Sequence, residues 1–234
     1  MKIIKNPSPT YSERTLRIDS IIIHYTDMSS AEEALAWLSN PISQVSAHYL
    51  IDQTGQIFQL VDEDKRAWHA GESYWQGCID LNSCSIGIEL DNPGLEYGYK
   101  PFPLAQTHAL MELCKEICKR WDIPPSRILG HSDIAPRRKQ DPGHLFPWDE
   151  LAQEGLGLWP SGSRKFMLPG LLSPRPSSIL NSFNQEKLMA MLSQVGYETI
   201  SPSDTVLAFQ RHFQPHKVDG IADDETLSLL RNLL

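Results

Sequence analysis

Ile18–His24 reads IDSIIIH, a short run of β-branched apolar residues that ends on an imidazole. Apolar residues at consecutive positions mark a strand buried on both faces. Ser85–Leu90, SIGIEL, reads as a second strand, and Arg127–Leu129 makes a short third that delivers Gly130-His131. Between them, Ser29 or Ser30 caps a helix over Ala31–Leu38, with Glu32 and Glu33 in its first turn and Pro41 as its stop. His48–Asp52 and Ile57–Val61 flank Gln53-Thr54-Gly55-Gln56, a hairpin signal. Leu104–Trp121 carries Leu110, Leu113, Ile117 and Trp121 on one helical face and is followed by Pro124-Pro125. Strands and helices alternating in this way predict an α/β domain with a mixed central β-sheet flanked by helices.

The character of the chain changes after Trp159-Pro160. Residues 161–182 are rich in proline and serine and read as a linker. Beyond it, amphipathic segments at Gln185–Gln194, Asp204–Phe213 and Asp223–Leu233 predict a small all-α three-helix domain. The expected division is therefore a domain over 1–160, a linker over 161–182 and a helical domain over 183–234. A chain of 234 residues accommodates that arrangement.

A formal net charge of −8 argues against general binding to nucleic acid or anionic membranes, although Arg137, Arg138 and Lys139 form a local basic cluster. No stretch approaches the roughly 20 apolar residues that span a bilayer. The N-terminal MKIIKNPSPTYSERTLR lacks the apolar segment of about 7–15 residues that a secretory signal needs. The expectation is a cytoplasmic monomer, or a periplasmic or envelope protein if another export route operates or the true start lies elsewhere. Cys114 and Cys118, one turn apart on the long helix, read as small buried apolar residues, and Cys78 and Cys84 are a potential pair in an exported protein.

Three residues form a possible metal set: His24 at one strand end, His131 after another, and Asp141 in a loop bracketed by Pro136 and Pro142-Gly143. Two imidazoles and a carboxylate are a common catalytic zinc set, leaving one tetrahedral position open. On residue type alone His48, His69, His108 and His144 compete with them, and Asp141 before Pro-Gly also suits a turn.

The stretches IIIHYT, SAHYLI, RAWHAG, SIGIEL, GHSDIAPRRKQDPG and LFPW, in this order and spacing across residues 18–160, resemble the AmpD/AmiD type of N-acetylmuramoyl-L-alanine amidase. The resemblance implies one zinc ion per chain held by His24, His131 and Asp141. It also implies an active site completed by Glu89 and Lys139, and cleavage of the amide between the lactyl group of N-acetylmuramic acid and L-alanine in peptidoglycan or muropeptides. Trp68, His69 and Ala70 resemble the stretch lining the groove for the stem peptide, with a core role for His69 as the alternative. Arg138 resembles a basic residue able to pair with a peptide carboxylate, as the guanidinium fork allows. His48 reads as a core residue or a support for a ligand.

In the tail, LAFQRHFQ (Leu207–Gln214) followed by Val218-Asp219-Gly220-Ile221-Ala222-Asp223-Asp224-Glu225-Thr226-Leu227 resembles the three-helix peptidoglycan-binding domain. Phe209 and Phe213, one turn apart, read as core, and Asp223 as a helix cap. The competing functional class is a non-catalytic peptidoglycan recognition protein, whose mark is a missing zinc ligand; here all three ligands, Glu89 and Lys139 are present.

Overall fold

The computed structural model describes residues 2–160, 162 and 182–234, so the expected linker lies outside the described residues apart from Gly162 and Ser182. In chain order the strands are β1 (Ile3–Lys5), β2 (Tyr11–Glu13), β3 (Ser20–Tyr25), β4 (Tyr49–Ile51), β5 (Ile57–Gln59), β6 (Lys65–Ala67), β7 (Ser85–Leu90) and β8 (Ile128–Gly130). The helices are α1 (Ala31–Leu38), α2 (Leu81–Cys84), α3 (Gly94–Tyr97), α4 (Leu104–Trp121), α5 (His131–Ile134), α6 (Trp148–Gln153), α7 (Ser182–Val195), α8 (Pro202–Phe213) and α9 (Asp224–Leu233).

Six strands form one mixed sheet in the order β1-β5-β4-β7-β3-β8, and β2 pairs with β6 in a separate ribbon. The run IIIH explains the placement of β3. It lies between β7 and β8, parallel to both, and Ile21, Ile22 and Ile23 are fully buried. Alternation then divides the sheet faces. Ile21 and Ile23 join Ile86, Ile88 and Leu90 beneath Leu110, Leu113, Cys114 and Ile117 of α4. Ile22 points the other way, into a cluster that also contains Trp75, Leu81, Leu129 and Ile134.

α1 and α4 have the boundaries read from sequence. Ser30 is the cap of α1, its side chain accepting the Glu33 N–H. α4 stops earlier than its prolines require, at Asp122, which adopts a left-handed conformation. The hairpin forms between β4 and β5, with Asp52 Oδ1 accepting from the Thr54 and Gln56 N–H groups across its turn. Its far end is fastened to α4 by Glu63, whose carboxylate accepts from Tyr49, Arg120 and the Trp121 indole. Sequence reading missed β1, β2 and β6, short strands of mixed polarity, and the short helices α2, α3, α5 and α6.

The tail helices sit near their expected positions, and Asp223 caps α9 by accepting the Thr226 N–H. Leu188, Leu192, Tyr197, Phe209, Phe213, Leu229 and Leu230 pack into the same cluster as Ile22, Trp75 and Leu129, so the core is continuous between sheet and tail. Among the described residues no helix is long and apolar enough to cross a membrane. All four cysteines are free thiols, with Cys114 buried as expected and Cys78 Sγ 3.6 Å from Cys84 Sγ.

Candidate active site

Parallel pairing gathers the candidate residues at one sheet edge. In the β3–β7 register His24 lies opposite Glu89, and in the β3–β8 register Ile23 lies opposite Gly130, so His131 emerges beside His24. The site thus sits at the carboxyl ends of adjacent parallel strands, where open α/β sheets place ligands. Asp141 is returned to His131 by the loop between them, closed by a 2.8 Å bond from the Ser132 N–H to the Asp141 carbonyl. A Cβ on Gly130 would stand 2.8 Å from Pro142 Cδ, so this closure requires a glycine there.

The three side chains meet tightly. His24 Nδ1 lies 2.9 Å from His131 Nδ1, and each is 3.0 Å from Asp141 Oδ2. All three residues are buried. The hydrogen-bond network assigns the tautomers, starting from Ser85. Its hydroxyl donates to the Leu81 carbonyl, which leaves its oxygen to accept from His69 Nε2–H at 3.3 Å. His69 Nδ1 then accepts from His24 Nε2–H at 3.0 Å, and His24 Nδ1 carries a lone pair. His131 Nε2–H donates to the Ala70 carbonyl at 3.0 Å, so in the neutral ring its Nδ1 carries a lone pair as well. Burial, reinforced by neighbouring His131, pulls His24 down to about 4, so its imidazole is neutral near pH 7.

Three acceptors therefore face one another with no proton between them. That arrangement is repulsive unless a cation lies among them, and it fits a metal. Ligand atoms around a four-coordinate ion with bonds of about 2.0–2.2 Å are separated by about 3.3–3.6 Å, so the triangle observed would open by a few tenths of an ångström to receive one. Each outer imidazole N–H is held by an acceptor, as in metal sites whose ligands are oriented from behind. Among the described residues no other group of three His, Cys, Asp or Glu side chains converges in this way.

Glu89 and Lys139 line the same cleft of about 460 Å³. Glu89 Oε2 is shut off from solvent and has no hydrogen-bond partner. Burial pushes its carboxyl well above the usual carboxylate range, the Asp141 charge adds to this, and Lys139 opposes it.

Trp68, His69 and Arg138 line the same cleft, and Ala70 lines the space adjoining it. His69 turns inward onto His24, and burial holds its imidazole well below the ordinary value. Gly87 makes the room, since a Cβ there would fall 2.4 Å from the His69 ring. The Ala70 backbone, expected to grip a peptide, is already in use. Its N–H donates to Asn82 Oδ1, and its carbonyl accepts from both His131 and Arg138. Arg138 also donates to the Glu72 carbonyl while still lining the cleft. Trp68 lines the cleft with its indole N–H directed to Ser12. His48 accepts the Gly87 N–H and is a buried support, whereas His108 takes no part in the site. Sequence reading missed Ser85 and Asn82, small polar residues without a distinguishing pattern, and Asp133, which stands inside the GHSD motif.

Comparison with known proteins supplies the family. The family described as N-acetylmuramoyl-L-alanine amidase matches residues 14–144. N-acetylmuramoyl-L-alanine amidase AmiD of Escherichia coli is 40% identical over 238 residues, spanning 93% of this chain and 83% of that protein. 1,6-Anhydro-N-acetylmuramyl-L-alanine amidase AmpD of Haemophilus influenzae is 46% identical over 107 residues, 45% of this chain and 56% of that one. The structure of Escherichia coli AmiD with anhydro-N-acetylmuramic acid-L-Ala-D-gamma-Glu-L-Lys superposes with a TM-score of 0.80 at 38% identity, covering 94% of this chain and 89% of that chain. AmpDh3 of Pseudomonas aeruginosa with anhydromuramic pentapeptide gives 0.78 at 32% identity, with 96% and 95% covered. A match over more than half of the chain, with a candidate metal set and a half-buried carboxylate gathered at the ends of parallel strands, means that this protein belongs to the N-acetylmuramoyl-L-alanine amidase family and is an amide hydrolase of the AmpD/AmiD type.

Proposed function

We propose that the enzyme cleaves the amide between the lactyl group of N-acetylmuramic acid, ordinary or 1,6-anhydro, and L-alanine, using one zinc ion held by His24 Nδ1, His131 Nδ1 and Asp141 Oδ2. The observation that carries this reading is the triangle of three mutually facing acceptors. Two nitrogens, one oxygen and a compact tetrahedral fit favour zinc over the larger oxygen-seeking cations. The ion would supply Lewis acidity, making water acidic enough to attack near neutral pH and polarising the scissile carbonyl.

The chain's own groups divide the rest of the work. Glu89 takes the proton of the attacking water and returns it to the departing alanine nitrogen, and a raised pKa suits a group that must both accept and donate. Lys139 balances the negative charge that grows on the carbonyl oxygen. His69 and Ala70 hold the two ligand imidazoles in orientation through the hydrogen bonds already described. Trp68 offers a ring to the substrate, and the Arg138 donors left after Ala70 and Glu72 face a peptide carboxylate. Residues 1–160 carry all of this chemistry in one monomer, followed by a helical domain over 183–234 related to peptidoglycan-binding modules.

Metal analysis and a muropeptide assay test the proposal. We expect about one zinc per chain, loss of L-alanine-terminated peptide release on chelation, and recovery on adding zinc back. His131→Ala should lose both metal and activity, whereas His108→Ala keeps both. An active preparation without bound zinc overturns the proposal.

A further inference from the structure

The loop from His131 to Asp141 begins and ends on the proposed metal ligands, and it is held from both sides, by Ala70, Glu72 and Tyr74 and by residues of the tail. We infer that the helical tail is part of the metal site's scaffold, with Tyr197 and His212 acting as positioning residues for His131 through Asp133. This rests on the zinc reading above.

Asp133 is fully buried, and its carboxylate accepts three hydrogen bonds. The Gly130 N–H donates to Oδ2 at 2.7 Å, Tyr197 OH donates to Oδ1 at 2.6 Å, and His212 Nδ1–H donates to Oδ2 at 2.7 Å. Two of these three donors belong to the tail. The Gly130 bond fixes the residue immediately before the ligand. The His212 ring also stacks on Trp148 at 3.8 Å between centroids, and a Cβ on Gly130 would come within 3.3 Å of that indole. Two routes from one tail histidine thus converge on the backbone that presents His131.

Two further positions of the loop are tied to the tail, while Ile134 and Arg138 bond to Tyr74, Ala70 and Glu72. Arg137 pairs with Glu198 at 3.1 Å, and Arg211 donates to Gln140 Oε1 at 3.3 Å. Positions 133, 137 and 140 are thus each bonded to tail residues. Without Tyr197 and His212 the buried Asp133 keeps a single donor, and a buried carboxylate so poorly satisfied is costly. It relieves that cost by turning toward water, and the first turn of α5 moves with it, carrying His131 out of the triangle.

The test uses the full-length zinc-loaded protein and measures the rate of zinc transfer to excess chelator, well below every melting temperature. The variants are Tyr197→Phe/His212→Phe, which removes both donors, and Tyr197→Phe/His212→Gln, which restores one. Leu230→Ala is the control, a fully buried tail residue of the shared core. We expect the Phe/Phe variant to lose zinc at least about tenfold faster than wild type, the scale seen when a ligand's support is removed. His212→Gln should recover part of that, and Leu230→Ala should lower the melting temperature with zinc loss within about twofold of wild type. Zinc loss from the Phe/Phe variant no faster than from Leu230→Ala overturns the inference and reduces the tail to packing. If the double variant fails to fold, Tyr197→Phe alone, which removes one hydroxyl and no carbon, carries the same comparison. A wild-type chain that takes up no zinc overturns the metal reading, and this inference with it. One zinc lost equally fast from all variants overturns this inference only.

Discussion

Two buried clusters lie within a few residues of each other, each built from one carboxylate and two ring-bearing side chains. In the first, His24, His131 and Asp141 turn three acceptors toward one point. In the second, Asp133 meets the Tyr197 hydroxyl and the His212 N–H, and every contact matches a donor to an acceptor. The residue types are nearly the same, and the difference lies in where the protons are. Ser85, His69 and the Ala70 carbonyl draw the imidazole protons of the first cluster outward, so it is complete only with a cation. The second cluster satisfies its carboxylate without a cation, although His212 Nε2 stays unpaired, and it serves the backbone around it. Burial and composition alone do not separate a reactive site from a structural one, and the direction of the hydrogen bonds does.

The contrast breaks most sharply at Glu89. Glu89→Ala should slow turnover about 10²–10⁴-fold while zinc content stays at wild type, because a proton carrier goes and no ligand does. Stability should hold or rise, since the substitution removes a buried carboxylate oxygen that has no partner. Turnover and melting temperature measured on the same preparation check both, and near-normal turnover with full metal would mean that another group moves the proton. Leu192→Ala reverses the pattern. This fully buried tail leucine should cost about 2–5 kcal/mol in denaturant unfolding, with kcat per bound zinc unchanged at temperatures where the protein is folded. The smallest effect belongs to Glu63. Burial works against its charge, but hydrogen bonds from Arg120, Trp121 and Tyr49 win and hold the carboxyl below the usual range. A depressed folded-state pKa gives stability that is present above the unfolded value and lost as pH falls through the folded one. Glu63→Gln should therefore cost about 1–3 kcal/mol at pH 7, and the gap to wild type should close on acidification below about pH 4. A gap that does not change with pH would assign the loss to packing.

Much of this was legible in the sequence because the signals were local. IDSIIIH, SIGIEL and the stretch from Leu104 to Trp121 carry their periods in adjacent residues, and GHSDIAPRRKQDPG holds His131, Asp141 and Lys139 within fourteen positions. The tail helices were legible for the same reason, but their docking was not. Tyr197 and His212 lie 64 and 79 residues from Asp133, and no residue type announces that contact. The inward turn of His69 was equally hidden, since it depends on the space left by a glycine on a strand eighteen residues away.

The register that sets His24 opposite Glu89 also bears on which changes the enzyme tolerates. The separation of His24 and Glu89 is gauged by the ladder between two parallel strands, spaced about 4.8 Å apart, and not by the side chains packed beneath them. Exchanging Ile23 or Ile88 for another aliphatic residue alters the core and leaves that gauge alone. A single residue inserted near the end of β3 or β7 would instead carry His24 or Glu89 to the α4 face. Diversification in this part of the molecule is thus open to substitution and closed to insertion: the sequence can drift while its length between Ser20 and Leu90 must keep each of these strands in phase.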